Sequence, residues 1–259
     1  MKRKIGILFM CVVLAMSLVL FTACKSVVVD VSGNYETTDY ETVSKKLENK
    51  TASFVEEGVF KAYELMKVET KEGENKTDAK VELNATMEIA ELKAVGDIVV
   101  TSTENGKEVE DSLGNISTEF AMDGTNLYIT LDGEKVYMPI GSSDAGDIAS
   151  ALDYLKELVG DINIESDSNA KYFVYEKGDT LKVKMQSESS MTYGELTQYS
   201  NVEMVMVFEG DALSGVAINV ELKFTGGENY TIITIEIQLG RTNDKVVLPD
   251  LSFYKPYQG

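Results

Sequence analysis

Long stretches of this chain alternate apolar and polar residues with a period of two, and that pattern restricts it to strands with one buried face. Val81, Leu83, Ala85, Met87 and Ile89 are separated by Glu82, Asn84, Thr86 and Glu88. Val216, Ile218, Val220, Leu222 and Phe224 repeat the pattern, as do Ile233, Ile235, Ile237 and Leu239. Further strands are expected near Asp97–Thr103, Lys171–Glu176, Thr180–Met185 and Asn201–Glu209, with a closing Val246–Leu248. Between Phe120 and Ile140, Asp123-Gly124 and Asp132-Gly133 divide EFAM, NLYITL and VYMPI into consecutive hairpins, because Asp-Gly readily supplies the positive φ of a tight turn. Pro139 belongs at a strand end or edge. Gly178-Asp179, Gly210-Asp211 and Gly226-Gly227 mark further turns and imply antiparallel neighbours.

Two segments depart from this period. From Glu41 to Lys67 the positions Val43, Leu47, Phe54, Val55, Val59, Ala62, Leu65 and Met66 recur at spacings near three and four. They predict an amphipathic helix, weakened by Gly58 and open to conversion into strand near its end. A mid-chain helix is expected from a cap at Asp144 to a stop at Gly160, with Ile148, Leu152, Leu155 and Val159 as its stripe. The sum is one α+β domain over 41–259, with about ten antiparallel strands.

The first 23 residues have another purpose. Lys2, Arg3 and Lys4 precede an uncharged run from Ile5 to Phe21, and small residues Thr22-Ala23 stand before Cys24. Charge, apolar segment and small residues are the three parts of an export signal. The run could just span a membrane, but its ending, LVLFTAC, resembles the lipobox of bacterial lipoproteins, with Phe21 where that family usually has Leu. The resemblance implies cleavage before Cys24 and a diacylglycerol thioether on its sulfur, a stable anchor because it carries two acyl chains. It also places the protein outside the cytoplasm on a bacterial cell membrane, with a Gram-positive envelope expected. Residues 24–40 then read as a flexible tether, its sixteen residues after Cys24 reaching roughly 20–25 Å.

Composition removes several classes of function. The chain has 259 residues and no His, so imidazole chemistry and His-ligated metals are excluded. A net charge of −19 argues against nucleic acid. Loss of the basic leader makes the remainder more negative still, so an anionic membrane would repel the body, and only the lipid would hold it. Of the two cysteines, Cys11 lies in the leader and Cys24 at the anchor. Without imidazole or a free thiol, no activated nucleophile stands out, and no carboxylate pair is distinguished from an acidic surface. Glu165, Asp167, Asn169 and Glu176 fall at EF-hand-like spacings, but Ala170 replaces the required Gly and KYFVYE reads as strand. No enzyme activity, cofactor or metal is expected.

The order of an N-terminal helix, a meander, a mid-chain helix, more strands and a closing VVLPDLSFYKPY resembles Gram-positive lipoproteins of the LolA/LppX type. NLYITLDGEKVYMPI and LPDLSFY carry that resemblance. It implies an open, curved half-barrel covered by helices, and a lipid or acyl ligand. Strand methionines suit an irregular apolar cavity and equally suit an ordinary core. Met87, Ile89, Met204, Met206, Ile218 and Val220 are the candidate cavity lining. The alternative is a filled core, which would leave an envelope interaction or sensing module with no ligand.

Overall fold

The computed structural model describes residues 28–50, 58–91, 93–108, 116–131, 133–139, 169–194 and 196–256. The leader, Cys24, the mid-chain helix at 144–160 and Glu165 and Asp167 lie outside these residues. The strands are β1 (Glu36–Thr38), β2 (Val59–Glu72), β3 (Asn75–Glu88), β4 (Lys93–Glu104), β5 (Lys107–Glu108), β6 (Ile116–Asp123) and β7 (Asn126–Leu131). They continue with β8 (Glu134–Pro139), β9 (Ala170–Lys177), β10 (Thr180–Tyr193), β11 (Leu196–Glu209), β12 (Ala212–Gly226), β13 (Asn229–Thr242) and β14 (Lys255–Pro256). All belong to one 14-stranded curved, open sheet, ordered β1-β9-β10-β11-β12-β13-β2-β3-β4-β6-β7-β8-β14, with β5 against β4. Pairing is antiparallel except between β14 and β8.

Two meanders are thus joined side by side through β13 and β2, whose register runs from Tyr230↔Lys71 to Thr242↔Val59. Across the seam Ile235 faces Met66 and Leu239 faces Ala62. The expected hairpins are present: Asp123 accepts bonds from the Thr125 and Asn126 amides and the Tyr128 hydroxyl, at 2.9, 2.8 and 2.6 Å, and Gly124 adopts φ 91°. Partial burial opposes ionisation of Asp123, yet these bonds hold its carboxyl well below the ordinary range. Pro139 ends β8, where its missing N–H leaves no gap within the strand.

Three expectations change. The sheet has 14 strands where about ten were expected; β10 and β11, for example, run several residues past their apolar cores because each is hydrogen-bonded along its full length. Val246–Leu248 is not a strand; a 3-10 turn at Leu251–Phe253 and the short β14 close the described chain. Of the helix expected over 41–67, the described residues show α1 (Tyr40–Leu47), capped by the Asp39 carboxylate accepting from the Thr42 amide at 2.7 Å, while Phe54 and Val55 lie outside the described residues. Val43 is fully buried beneath it. Residues 59–67 instead belong to β2, where alternation puts Phe60 and Ala62 into the core and pairing on both sides satisfies the backbone.

Residues 28–38 are not a free tether. Val28 and Val29 lie as a strap across the outer face of the sheet, against Val205, Val207 and Ala217. The Val29 amide donates to Gln238 Oε1 at 3.3 Å. Lys182, buried on the outer face, donates to Asp30 Oδ2 at 3.0 Å and to the Ser32 carbonyl at 2.7 Å, and β1 completes the fastening on β9. The strap lies on a glycine pair, Gly215 opposite Gly240. A Cβ on Gly240 would stand 2.4 Å from the Val28 carbonyl oxygen. Gly240→Ala is therefore expected to lift the strap and leave the sheet paired, at about 1–2 kcal/mol. Hydrogen exchange at Val29 should accelerate while β12 amides stay protected; an unchanged Val29 would disprove the fastening. Acid should do the same. The Ser32 hydroxyl and Lys182 ammonium hold Asp30 down at about 2. Its contribution is complete above the ordinary carboxylate range and disappears as pH falls through about 2.

Candidate functional site

Directly opposed residues of antiparallel strands share a face, so the register divides the sheet into an inner and an outer surface. Along β12, Ile218, Val220 and Leu222 face inward, while Asn219, Glu221 and Lys223 face out. The inner positions form successive ladders across the sheet. One runs Val183, Met206, Val216, Leu239, Ala62, Ala85 and Gly96, and it is packed into the core. The next runs Met185, Met204, Ile218, Ile237, Glu64, Leu83 and Ile98. The third contains Val202, Val220, Ile235, Met66, Val81 and Val100, of which the first five are half-buried. Beyond it Leu222, Ile233, Val68 and Ala79 continue the apolar surface. Burial thus decreases from a closed end, where Phe60 and Phe208 are almost inaccessible, to an open end that stays apolar on β12, β13, β2 and β3 and is bordered by Ser200 on β11 and Ser102 on β4.

Five of the six candidate lining residues occupy this one face. Met87 and Met206 are at the closed end, 3% exposed each. Met204 and Ile218 are paired neighbours in the second ladder, and Val220 is in the third. Ile89 departs from its expected position: it lies in the 3-10 turn Ile89–Glu91, where the chain leaves β3 and the alternation ends. Met66, Met122, Met138 and Met185 also take inner positions, so the surface is rich in thioethers. Such side chains adapt to ligands of irregular shape.

Glu64 has no counterpart among the sequence expectations. It faces inward between Ile237 and Leu83, is 5% exposed, and its Oε2 has no hydrogen-bond partner. Burial pushes its pKa up to about 8, so at neutral pH the group is mainly an uncharged acid. On the inner positions of β10 through β4 in the three ladders above, it is the sole charged residue type. Its acidic neighbours Glu82 and Glu236 flank Leu65 on the outer face. The signal that could have found it is the break in period: Phe60, Ala62, Met66 and Val68 are apolar, and the position between them carries a carboxyl.

A separate cleft lies between α1 and the β9–β10 turn, lined by Lys46, Lys50, Glu176 and Leu181. Both lysines are engaged, Lys46 with Glu176 at 2.7 Å and Lys50 with Asp211 at 3.2 Å, so the cleft is a joint fastening the helix to the sheet. Among the described residues no group of three or more acidic, His or Cys side chains could hold a metal ion.

The sequence matches no protein-family model and no curated protein. Among the solved structures that resemble the fold distantly are LprF and lipovitellin. LprF from Mycobacterium bovis aligns with a TM-score of 0.40 at 11% identity, covering 83% of this chain and 99% of LprF. Lipovitellin, in a structure titled for its lipid–protein interactions, aligns at 0.35 and 7% identity, covering 75% of this chain and 26% of its own. This chain therefore spans about a quarter of lipovitellin. No residue role is carried over from either.

Proposed function

We propose that this chain is a membrane-anchored bacterial lipoprotein outside the cytoplasm, without enzymatic activity, that holds an acyl-bearing amphiphile on the inner face of its sheet. One observation carries the reading: the inner ladders remain apolar where burial fades, from Val220, Ile235 and Val81 to Leu222, Ile233 and Val68. A filled core has no need to extend its apolar surface to a half-exposed end. An acyl chain laid there leaves water at about 0.8 kcal/mol per methylene. The polar outer face and the net charge of −19 keep the body in solution, so membrane residence falls to diacylglycerol on Cys24. With the strap fastened from Val28, the link from that anchor reaches at most ~14 Å.

Purified protein starting at residue 24, with Cys24→Ser to prevent lipidation, is expected to carry discrete lipid masses in native mass spectrometry after exposure to membrane extract. A bare mass would sink the carrier reading and favour an interaction module. In the host, Cys24→Ser should move the protein from the membrane to the soluble fraction. Unchanged membrane residence would refute the anchor.

A further inference from the structure

We propose that the inner face selects an amphiphile with a cationic amine head, and that the Glu64 carboxyl is the group that receives it. The inference rests on the lipid-binding reading of that face and adds the head-group chemistry. Glu64 is 95% buried on the ladder next to the half-exposed one, so a chain lying over Met66 and Ile235 brings its head within reach. Its Oε2 has no partner in the fold, and a buried acceptor left open costs stability that a ligand donor recovers.

The surroundings choose among heads. The adjacent inner positions on β13 are Ile235, Ile237 and Leu239, and on β3 they are Val81, Leu83 and Ala85. The next strands present Ile218 and Ile98. The charged residues at inner positions nearest along these strands are Arg241, Glu72 and Glu104; Arg241 is stacked over Phe60, 6.0 Å from the ring centre. Among the described residues no cation therefore opposes Glu64, and a phosphate or carboxylate head would meet there an acid and a strongly negative chain. A hydroxyl head can share a neutral hydrogen bond. An ammonium does more: the carboxyl releases its proton to solvent, and the carboxylate formed accepts a charge-assisted bond from the amine. The cost of desolvating both charges is offset because the acyl chain is buried in the same step.

The test compares decylamine, decanol and decanoate, equal in chain length, on the full mature chain carrying Cys24→Ser. Calorimetry at pH 7 in two buffers of different ionisation enthalpy counts protons. Decylamine is expected to bind roughly tenfold to a hundredfold tighter than decanol, with about one proton released per amine bound. Glu64→Gln, which mimics the neutral acid, should erase both the preference and the proton release. Equal binding of amine and alcohol without proton release would overturn the amine-receiving role of Glu64 while the apolar site stands. A preference that survives Glu64→Gln would assign the amine to the acidic surface and also overturn that role. Failure of all three probes would refute the lipid-binding reading and the Glu64 role together.

Discussion

Glu64→Leu is expected to make the ligand-free protein more stable at pH 8.5 by about 6 kcal/mol, and to flatten its stability between pH 4.5 and 8. The sign follows from the direction of the shift. Burial raises the folded-state pKa from 4.5 to about 8, so in this interval the unfolded chain ionises first. Stability attributable to Glu64 is greatest below 4.5, declines through the interval, and levels off above 8, a total on the order of 5 kcal/mol. Below 4.5 the variant should keep only the smaller gain from removing an unsatisfied neutral carboxyl, about 1–2 kcal/mol. Urea denaturation of both proteins at pH 4.5, 6.5 and 8.5 checks this. The many other acids cancel in the difference, and curves that stay parallel across pH would show that Glu64 is not buried.

Gly96→Ala should be costly in the opposite direction. Gly96 faces inward on β4 between Ala85 and Phe120. A Cβ there would lie 1.8 Å from the backbone oxygen of Asn84 and 2.8 Å from the Phe120 ring. Phe120 is 5% exposed and has little space into which to retreat, and the Asn84 backbone is held in the β3 ladder. One methyl therefore requires two neighbouring strands to separate, at about 3 kcal/mol or more. A lower denaturation midpoint with a sheet-type circular dichroism spectrum is expected; an unchanged midpoint would contradict the close approach at this crossing. Pairing it with Phe120→Leu should recover only part of the loss, because the contact with Asn84 remains.

How much of this was legible in the sequence depended on whether alternation was intact. Along β3, β12 and β13 each inward residue is apolar in the segments that were read, and the faces follow from the pattern alone. β2 failed for one identifiable reason. With the polar Glu64 at an inner position and Leu65 apolar and 8% exposed at an outer one, the apolar set Val59, Ala62, Leu65 and Met66 mimics a helical spacing. The residue that misled the reading is the one with the most unusual chemistry in the sheet. The strap escaped notice for a different reason. Residues 28–35 make only short turns among themselves, Ser32 to Asp30 and Tyr35 to Val31, and they are held on the sheet by Lys182, Gln238 and a glycine pair about 150–210 positions downstream, which no local pattern registers. The far ends of β10 and β11 are Ser- and Thr-rich, and only the pairing partner makes them strand.

The seam between β13 and β2 sets an order in time. Most neighbouring strands are also neighbours in sequence and can form as hairpins within microseconds. β2 faces a partner about 170 residues further on, so one half of the sheet must wait with an open, apolar edge until nearly the whole chain has emerged. The loop closed by this pairing makes it the natural slow step of folding. The strap, whose partners lie on β10 and β13, can be fastened only after that. A chain synthesised from its N-terminus thus carries its first strands unprotected longest, and destabilising the seam should slow folding before it measurably weakens the finished protein.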